Sequence, residues 1–156
     1  MRRKYREVTD NARIDEIITR CSCCRVGFND GGEVYIVPMN FGFVKRGEKR
    51  VLYFHSAKEG RKTDLLKNGC DVGFEMDCGY QLHPGEVPCD CYAEFSSIIG
   101  TGHAEIVAGD EEKIQGLQSL MKQAAGKENC EFRPEMLAAV CVFRLEIDKL
   151  SCKVHL

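Results

Sequence analysis

The run Cys24 to Val44, "CRVGFNDGGEVYIVPMNFGFV", constrains the fold more than any other part of the chain. Two segments rich in Val, Ile, Phe and Tyr flank Asp30-Gly31-Gly32. Glycines accept the positive φ angles of a tight hairpin turn without steric cost, so the run predicts two antiparallel strands. A second turn at Arg46-Gly47-Glu48 leads into Val51-Leu52-Tyr53-Phe54, and Asp71 to Met76 supplies a further strand. The stretch "AEFSSIIGTGHAEIV" returns to strand character, with Gly100 and Gly102 marking a bulge or a close backbone approach. At the end, Leu150, Cys152, Val154 and Leu156 alternate with Ser151, Lys153 and His155, which places His155 on a solvent-facing surface. About six strands joined mostly by short turns are antiparallel, since parallel pairs need long crossovers.

Helices fill the gaps. Asp10 is a candidate N-cap for a helix carrying Ile14, Ile17, Ile18 and Cys21. Lys62 to Asn68 reads as a short helix closed by Gly69, and Ile114, Leu117, Leu120, Met121 and Ala124 recur at helical spacing after Asp110. Another short helix starts at Pro134. Gly79 to Tyr92, with Pro84, Gly85 and Pro88, reads as a loop. No Gly-rich loop follows a first strand, which argues against a Rossmann unit. A small β-barrel with peripheral helices, one domain over residues 1–156, fits best.

A net charge of −2 and a pI near 6.1 provide no field for a nucleic-acid backbone. The basic clusters Arg2-Arg3-Lys4 and Lys45 to Arg50 read as a solvated arm and a solvated hairpin tip. No apolar run approaches the roughly 20 residues that span a bilayer. The opening Met-Arg-Arg-Lys-Tyr-Arg continues into Glu and Asp rather than an apolar stretch, so a cytoplasmic protein is expected. Its ten cysteines are then reduced thiols. Cys21, Cys24, Cys141 and Cys152 behave as small hydrophobes. Cys78, His83, Cys89 and Cys91 could hold zinc, but C-x-C departs from the usual ligand spacing and no metal site is expected.

The stretch "VLYFHSAKEGRKTDLLKNG" carries the chemistry: a strand stops at His55-Ser56 and a helix opens with Arg61-Lys62. Ser56-Ala57-Lys58-Glu59 matches a capping box, which would occupy Ser56 structurally and leave the cations in solvent. The alternative is an anion site. Helix-start N–H groups, a hydroxyl and two cations together suit a phosphate, with Arg as a bidentate fork and Lys as a point charge. The physical argument ends at a phosphate-bearing small molecule.

The order of "CRVGFNDGGEVYIVPMNFGF", "LYFHSAKEGRKTDLLKN", "VGFEMD" and "SSIIGTGHAEIV" resembles the FMN-binding split barrels of the pyridoxamine 5′-phosphate oxidase superfamily. Within it the sequence is most similar to the 5-nitroimidazole-resistance (Nim-type) group, whose opening the N-terminal "MRRKYREVTD" of this chain also resembles. The resemblance implies a mainly β, α+β fold: a six-stranded antiparallel Greek-key split β-barrel with peripheral helices. It implies that Val37, Pro38, Met39 and Asn40 lie along the isoalloxazine ring, largely through backbone contacts. His55 and Ser56 would stand beside the flavin and its phosphate tail, Arg61 and Lys62 would grasp the phosphate, and Ser97 would reach the cofactor. A homodimer with FMN at the subunit interface is implied too, with FAD possible because a phosphate clamp reads only one end of the ligand.

Pyridoxamine phosphate oxidases carry an Arg-x-His element near the C-terminus, whereas this chain has Arg144-Leu145-Glu146 and ends in "SCKVHL". That activity is therefore disfavoured. The resemblance points instead to an FMN-dependent oxidoreductase reducing nitro or other small electron-poor compounds. His55 is the candidate catalytic residue, since an imidazole can donate a proton near neutral pH. The alternatives are a flavin-binding, storage or redox-sensing protein without turnover, and a sensor built on Cys78, Cys89 and Cys91. Haem or a deazaflavin in place of FMN is compatible with the same residues.

Overall fold

Asp10 caps the first helix as its position predicts, its Oδ1 accepting the Arg13 N–H at 2.8 Å. The structure, a computed structural model, describes residues 4–156, so Arg2-Arg3 of the expected basic arm lie outside the described residues. The elements run β1 (Glu7–Val8), α1 (Asn11–Arg20), β2 (Cys24–Asp30), β3 (Glu33–Met39), β4 (Gly42–Arg46), β5 (Lys49–Ser56) and α2 (Arg61–Leu66). Then follow β6 (Cys70–His83), β7 (Tyr92–Ile106), α3 (Asp110–Ala125), α4 (Pro134–Ala139) and β8 (Cys141–His155). All pairings are antiparallel, in the order β3-β2-β6-β7-β8-β5-β4, with β1 on β8. The terminal strands β3 and β4 do not pair with each other, so the sheet stays open as a split barrel does.

Among the described residues the sheet has eight strands, where about six were expected. The β-rich run after the first turn breaks at Asn40-Phe41: β3 pairs with β2, and β4 crosses to β5. A second difference lies at residues 79–92, where a loop was expected. There β6 continues through a bulge between Cys78 and Gln81 and pairs as far as His83 with Tyr92. The prolines confine the true loop to residues 84–91. The bulge expected near Gly100 and Gly102 is found between Thr101 and Gly102, where a Cβ on Gly102 would lie 2.1 Å from the Glu146 carbonyl oxygen.

Strand alternation builds two cores. Leu52 and Phe54 face the barrel side, where Phe54 stacks on Phe143 at 4.9 Å and Ile14, Ile17 and Ile18 of α1 close one end. Val51 and Tyr53 face the opposite side with Val107 and Val142, under α3. Cys21, Cys24, Cys141 and Cys152 are buried as small hydrophobes, and none of the ten cysteines is paired. Burial pushes the Cys21 and Cys24 thiols well up, which keeps them protonated and unreactive. The basic tip is exposed from Lys45 to Lys49, as expected of a solvated hairpin, and Lys45 and Arg50 also reach Asp15 of α1, at 2.9 and 2.5 Å. His155 is also more than a surface residue. Its Nδ1 lies 2.7 Å from the Ala93 carbonyl oxygen and its Nε2 2.6 Å from Arg6 Nη2, so Nδ1 carries the proton and Nε2 accepts.

A polar network fastens α3 to the sheet. The Tyr53 hydroxyl donates to Glu112 Oε1 at 2.8 Å, and Arg144 donates to Glu112 Oε2 at 2.8 Å. Arg46 donates to the same tyrosine oxygen and to Glu112. Burial works to raise the Glu112 pKa, but the Tyr53 bond and the Arg144 and Arg46 charges hold the carboxyl below its usual value. Burial and the Glu112 bond push the Tyr53 phenol up to about 12. A carboxyl with a depressed folded-state pKa adds stability above its unfolded pKa and loses it as pH falls through the folded value. The melting-temperature gap between the parent chain and Glu112→Gln should be flat above about pH 5.5 and close below about pH 4. A gap that persists to pH 3 would place the network's contribution elsewhere.

No helix among the described residues is long and apolar enough to cross a membrane.

Candidate cofactor site

The sequence predicts a capping box at Ser56; the structure puts the helix start elsewhere. Ser56 stays in β5 and donates to the Ala57 carbonyl at 2.9 Å. Helix α2 starts at Arg61 after Gly60, whose φ of 128° no other residue adopts readily. This chain reversal swings Arg61 and Lys62 back beside the strand end. Alternation also divides the His55-Ser56 pair: His55 points to the α3 side with Tyr53, and Ser56 to the barrel side with Phe54.

The two cations differ. Arg61 Nε donates to Asp30 Oδ2 at 2.6 Å, its Nη2 lies 3.1 Å from Glu33 Oε1, and its guanidinium sits 4.4 Å above the Tyr35 ring. Those carboxylates raise its pKa. Lys62 is half-buried, and its ammonium has no hydrogen-bond or ion-pair partner among the described residues. Burial lowers its pKa, with the neighbouring Cys141 opposing. Cys141 is the β8 partner of Ser56, so Ser56, Cys141 and Lys62 form one corner.

Strand β3, at the far end of the same sheet, reaches this corner through the Glu33 and Tyr35 contacts with Arg61. Val37 is half-buried against the core, Met39 is buried, and Pro38 and Asn40 are exposed. β3 ends the sheet path, so its outer backbone edge is unpaired, which is where a proline is tolerated. Asn40 lies two residues before β4, whose pairing with β5 runs towards His55. The two side chains face one apolar cleft of about 180 Å³ beside α3. A larger cleft, about 460 Å³, lies along the opposite flank of α3 and contains none of the predicted residues.

Ser97 is not brought to this corner. It pairs with Lys153 near the end of β8, whereas His55 pairs with Val142 near its start. Along β7, Ser97 is nine residues, about 30 Å, from Ile106, which joins the Phe143–Phe54 row. Within one chain Ser97 therefore belongs to a different place.

The cysteine cluster does not converge either. Cys89 and Cys91 are exposed, Cys91 Sγ accepts the Gly85 N–H at 3.4 Å, and His83 stacks on Tyr92 at 4.6 Å. No group of three or more His, Cys, Asp or Glu side chains is placed to hold a metal among the described residues. Sequence reasoning missed Tyr35, Asp30 and Glu33 around Arg61, and the α3 wall facing His55. The first three carry no local signal, and the apolar stripe of α3 reads as an ordinary core face.

The fold and the corner together define an antiparallel split-barrel domain with a half-buried, unpaired lysine at one strand–helix junction. The pyridoxamine 5′-phosphate oxidase family matches residues 10–154, and the chain belongs to that family. Among solved structures it is similar to a candidate 5-nitroimidazole antibiotic resistance protein from Bacteroides thetaiotaomicron. That pair shares 29% identity over 95% of this chain and 86% of the other, with a TM-score of 0.80. A flavocytochrome from Azotobacter vinelandii aligns at 20% identity over 100% and 72% of the two chains, TM-score 0.79. An FAD and haem binding protein from Mycobacterium smegmatis aligns at 19% identity over 96% and 73%, TM-score 0.78. The last two similarities concern the fold alone. No curated protein sequence matches the chain.

Proposed function

We propose that this protein binds a flavin, FMN in the first instance, and reduces small nitro or other electron-poor compounds. The observation that carries the proposal is Lys62: a half-buried lysine whose pKa burial lowers and whose charge no carboxylate among the described residues pairs, which leaves it open to an anion. A phosphate there would supply the missing charge, with the Ser56 hydroxyl adjacent and Arg61 one residue away on α2. The residues present therefore suit the terminal phosphate of FMN, or the corresponding phosphate within the diphosphate of FAD. The free edge of β3 from Val37 to Asn40 would offer backbone donors and acceptors to the ring. Support for this ligand class comes from the family membership and from the flavin- and FAD-named proteins of the same fold.

Bound flavin supplies two-electron transfer between a reduced nicotinamide and the acceptor. The overall reaction, nitro compound plus reduced nicotinamide plus one proton, gives the nitroso compound, oxidised nicotinamide and water. His55, exposed and lining the cleft, would supply a proton to the acceptor's oxygen. The position of Ser97 and the exposed apolar side chains Val34, Ile36 and Ile99 on the sheet surface favour a second copy of the chain completing the site. Ten unpaired cysteines accord with a reducing, cytoplasmic setting.

The test is a visible spectrum of freshly purified protein, identification of any released chromophore, and steady-state oxidation of a reduced nicotinamide with a nitro acceptor. A flavin spectrum with nitro-dependent turnover is expected. Flavin without turnover would leave a binding or storage protein, and a colourless protein that refuses added FMN would remove the proposal.

A further inference from the structure

The long hairpin of β6 and β7 ends in the loop 84–91, "PGEVPCDC". Its base is fixed where His83 pairs with Tyr92 and the two rings stack at 4.6 Å. Inside the loop the Asp90 N–H donates to the Val87 carbonyl at 3.0 Å and the Cys91 N–H to the Pro88 carbonyl at 3.4 Å. The result is a tight turn that carries Cys89 and ends at Cys91. Of the ten cysteines these two alone are exposed; the rest are buried or half-buried. Gly85 packs so closely on the turn that an added Cβ would lie 2.4 Å from Asp90 Cβ, and the same approach brings its N–H to Cys91 Sγ at 3.4 Å. Cys91 Sγ also lies 4.0 Å from the Val87 carbonyl oxygen, while Cys89 Sγ has no hydrogen-bond partner among the described residues.

We propose that Cys89 and Cys91 form a thiol–disulfide exchange site for small organic disulfides that are neutral or positively charged, Cys91 being the attacking sulfur and Cys89 the resolving one. The proposal stands apart from the flavin reading. Spacing permits the pair to close: Cα atoms two residues apart are separated by at most about 7 Å. The turn draws them nearer, into the range of roughly 4.4–6.8 Å that a disulfide bridges. Polarity assigns the roles. A sulfur takes up negative charge as it attacks or leaves, and only Cys91 has a backbone N–H aimed at it. Charge sets the ligand class, because Glu86 and Asp90 are exposed beside the thiols and the loop holds no Lys or Arg. In the first step the Cys91 thiolate attacks R–S–S–R, forming Cys91–S–S–R and releasing RS⁻, which takes up the proton Cys91 gave away. Cys89 then attacks Cys91 Sγ, closing the protein disulfide and releasing the second RSH with the Cys89 proton. In sum, the dithiol and one organic disulfide give the protein disulfide and two thiols. A ring closed over a single residue is strained and exposed, so excess dithiol reopens it. Cys78 takes no part, being half-buried on the far side of the β6 bulge.

Two probes of similar length test the proposal on the reduced full chain at low ionic strength: cystamine, a dication, and 3,3′-dithiodipropionate, a dianion. Rates are followed by mass mapping of the peptide that contains the loop. In the parent chain cystamine should leave that peptide two hydrogens lighter and free of adduct. Cys89→Ser cannot resolve the mixed disulfide and should hold cysteamine on Cys91. Cys91→Ser should take up cysteamine on Cys89 about 10-fold more slowly, the equivalent of one hydrogen bond to a charged sulfur. Both changes lie at exposed loop positions, so the fold should survive them. Cystamine should react about 5-fold faster than the dianion, a gap that narrows as salt screens Glu86 and Asp90. A stable cysteamine adduct on the loop of the parent chain overturns the exchange site, as do equal rates in the two variants. Reaction at Cys23, Cys70, Cys78 or Cys130 ahead of the loop overturns it too. Equal rates with the two probes overturn the ligand class.

Discussion

Gly42→Val is expected to unfold about 3 kcal/mol more easily than the parent chain, the upper end of ordinary overpacking. Gly42 opens β4 directly beneath α3. A Cβ added there would lie 2.1 Å from Ser119 Oγ, 2.4 Å from the Leu120 amide nitrogen and 2.5 Å from the Ser119 carbonyl carbon. The serine hydroxyl could rotate away, but the helix backbone cannot move without lifting Leu120 from its buried seat. For a chain of this size the loss corresponds to a fall in melting temperature of roughly 6–12 °C. The expected damage is also local: lifting α3 disrupts the Glu112–Tyr53 bond on one flank and widens the His55 cleft on the other. Thermal and urea melts measure the effect. A melting temperature within about 2 °C of the parent would mean that α3 is held less closely than its contacts indicate.

Lys62→Ala should weaken FMN binding by about 10- to 150-fold, the equivalent of one charge-assisted bond of roughly 1.5–3 kcal/mol. Arg61→Ala falls on the same scale only if its guanidinium is free to turn to the phosphate. In this structure it is shared with Asp30 and Glu33 and stacked on Tyr35, so its loss should weaken binding less than the loss of Lys62. The free protein provides a second readout with a different sign. Removing an unpartnered, half-buried cation relieves a desolvation cost, so flavin-free Lys62→Ala should be no less stable than the parent. Flavin titration of both variants, followed by melts without flavin, separates the two effects. Parent-like flavin affinity in both would rule out the phosphate cradle.

Much of the fold could be read locally. Asp30-Gly31-Gly32, the alternation of β8 and the spacing of Ile14, Ile17 and Ile18 each depend on neighbours within a few residues. The misreadings came where distant contacts overruled local preference. Pro84, Gly85 and Pro88 suggested a loop from Gly79 onward, yet cross-strand bonds to Tyr92, Ala93 and Glu94 hold β6 as far as His83. Ser56-x-x-Glu59 had the spacing of a capping box, but β8 pairing kept Ser56 in the sheet. The tip at Lys45 to Arg50 is exposed as its charges suggest, but its ion pairs with Asp15, a residue some thirty positions earlier, have no local signal.

The candidate site divides in the same way. From sequence alone came the residue types at the strand–helix junction, His55, Ser56, Arg61 and Lys62, because strand end, turn and helix start are contiguous. Which cation is free, and which way each side chain of the His55-Ser56 pair points, depends on strand alternation and on Asp30, Glu33 and Tyr35, brought in from another hairpin. The distance of Ser97 from that corner and the α3 wall facing His55 likewise follow from sheet order and helix packing. A sequence determines local chemistry through short-range stereochemistry and hydrogen bonding. Only the folded sheet, by burying some groups and pairing others across the chain, decided which of those groups are left without a partner.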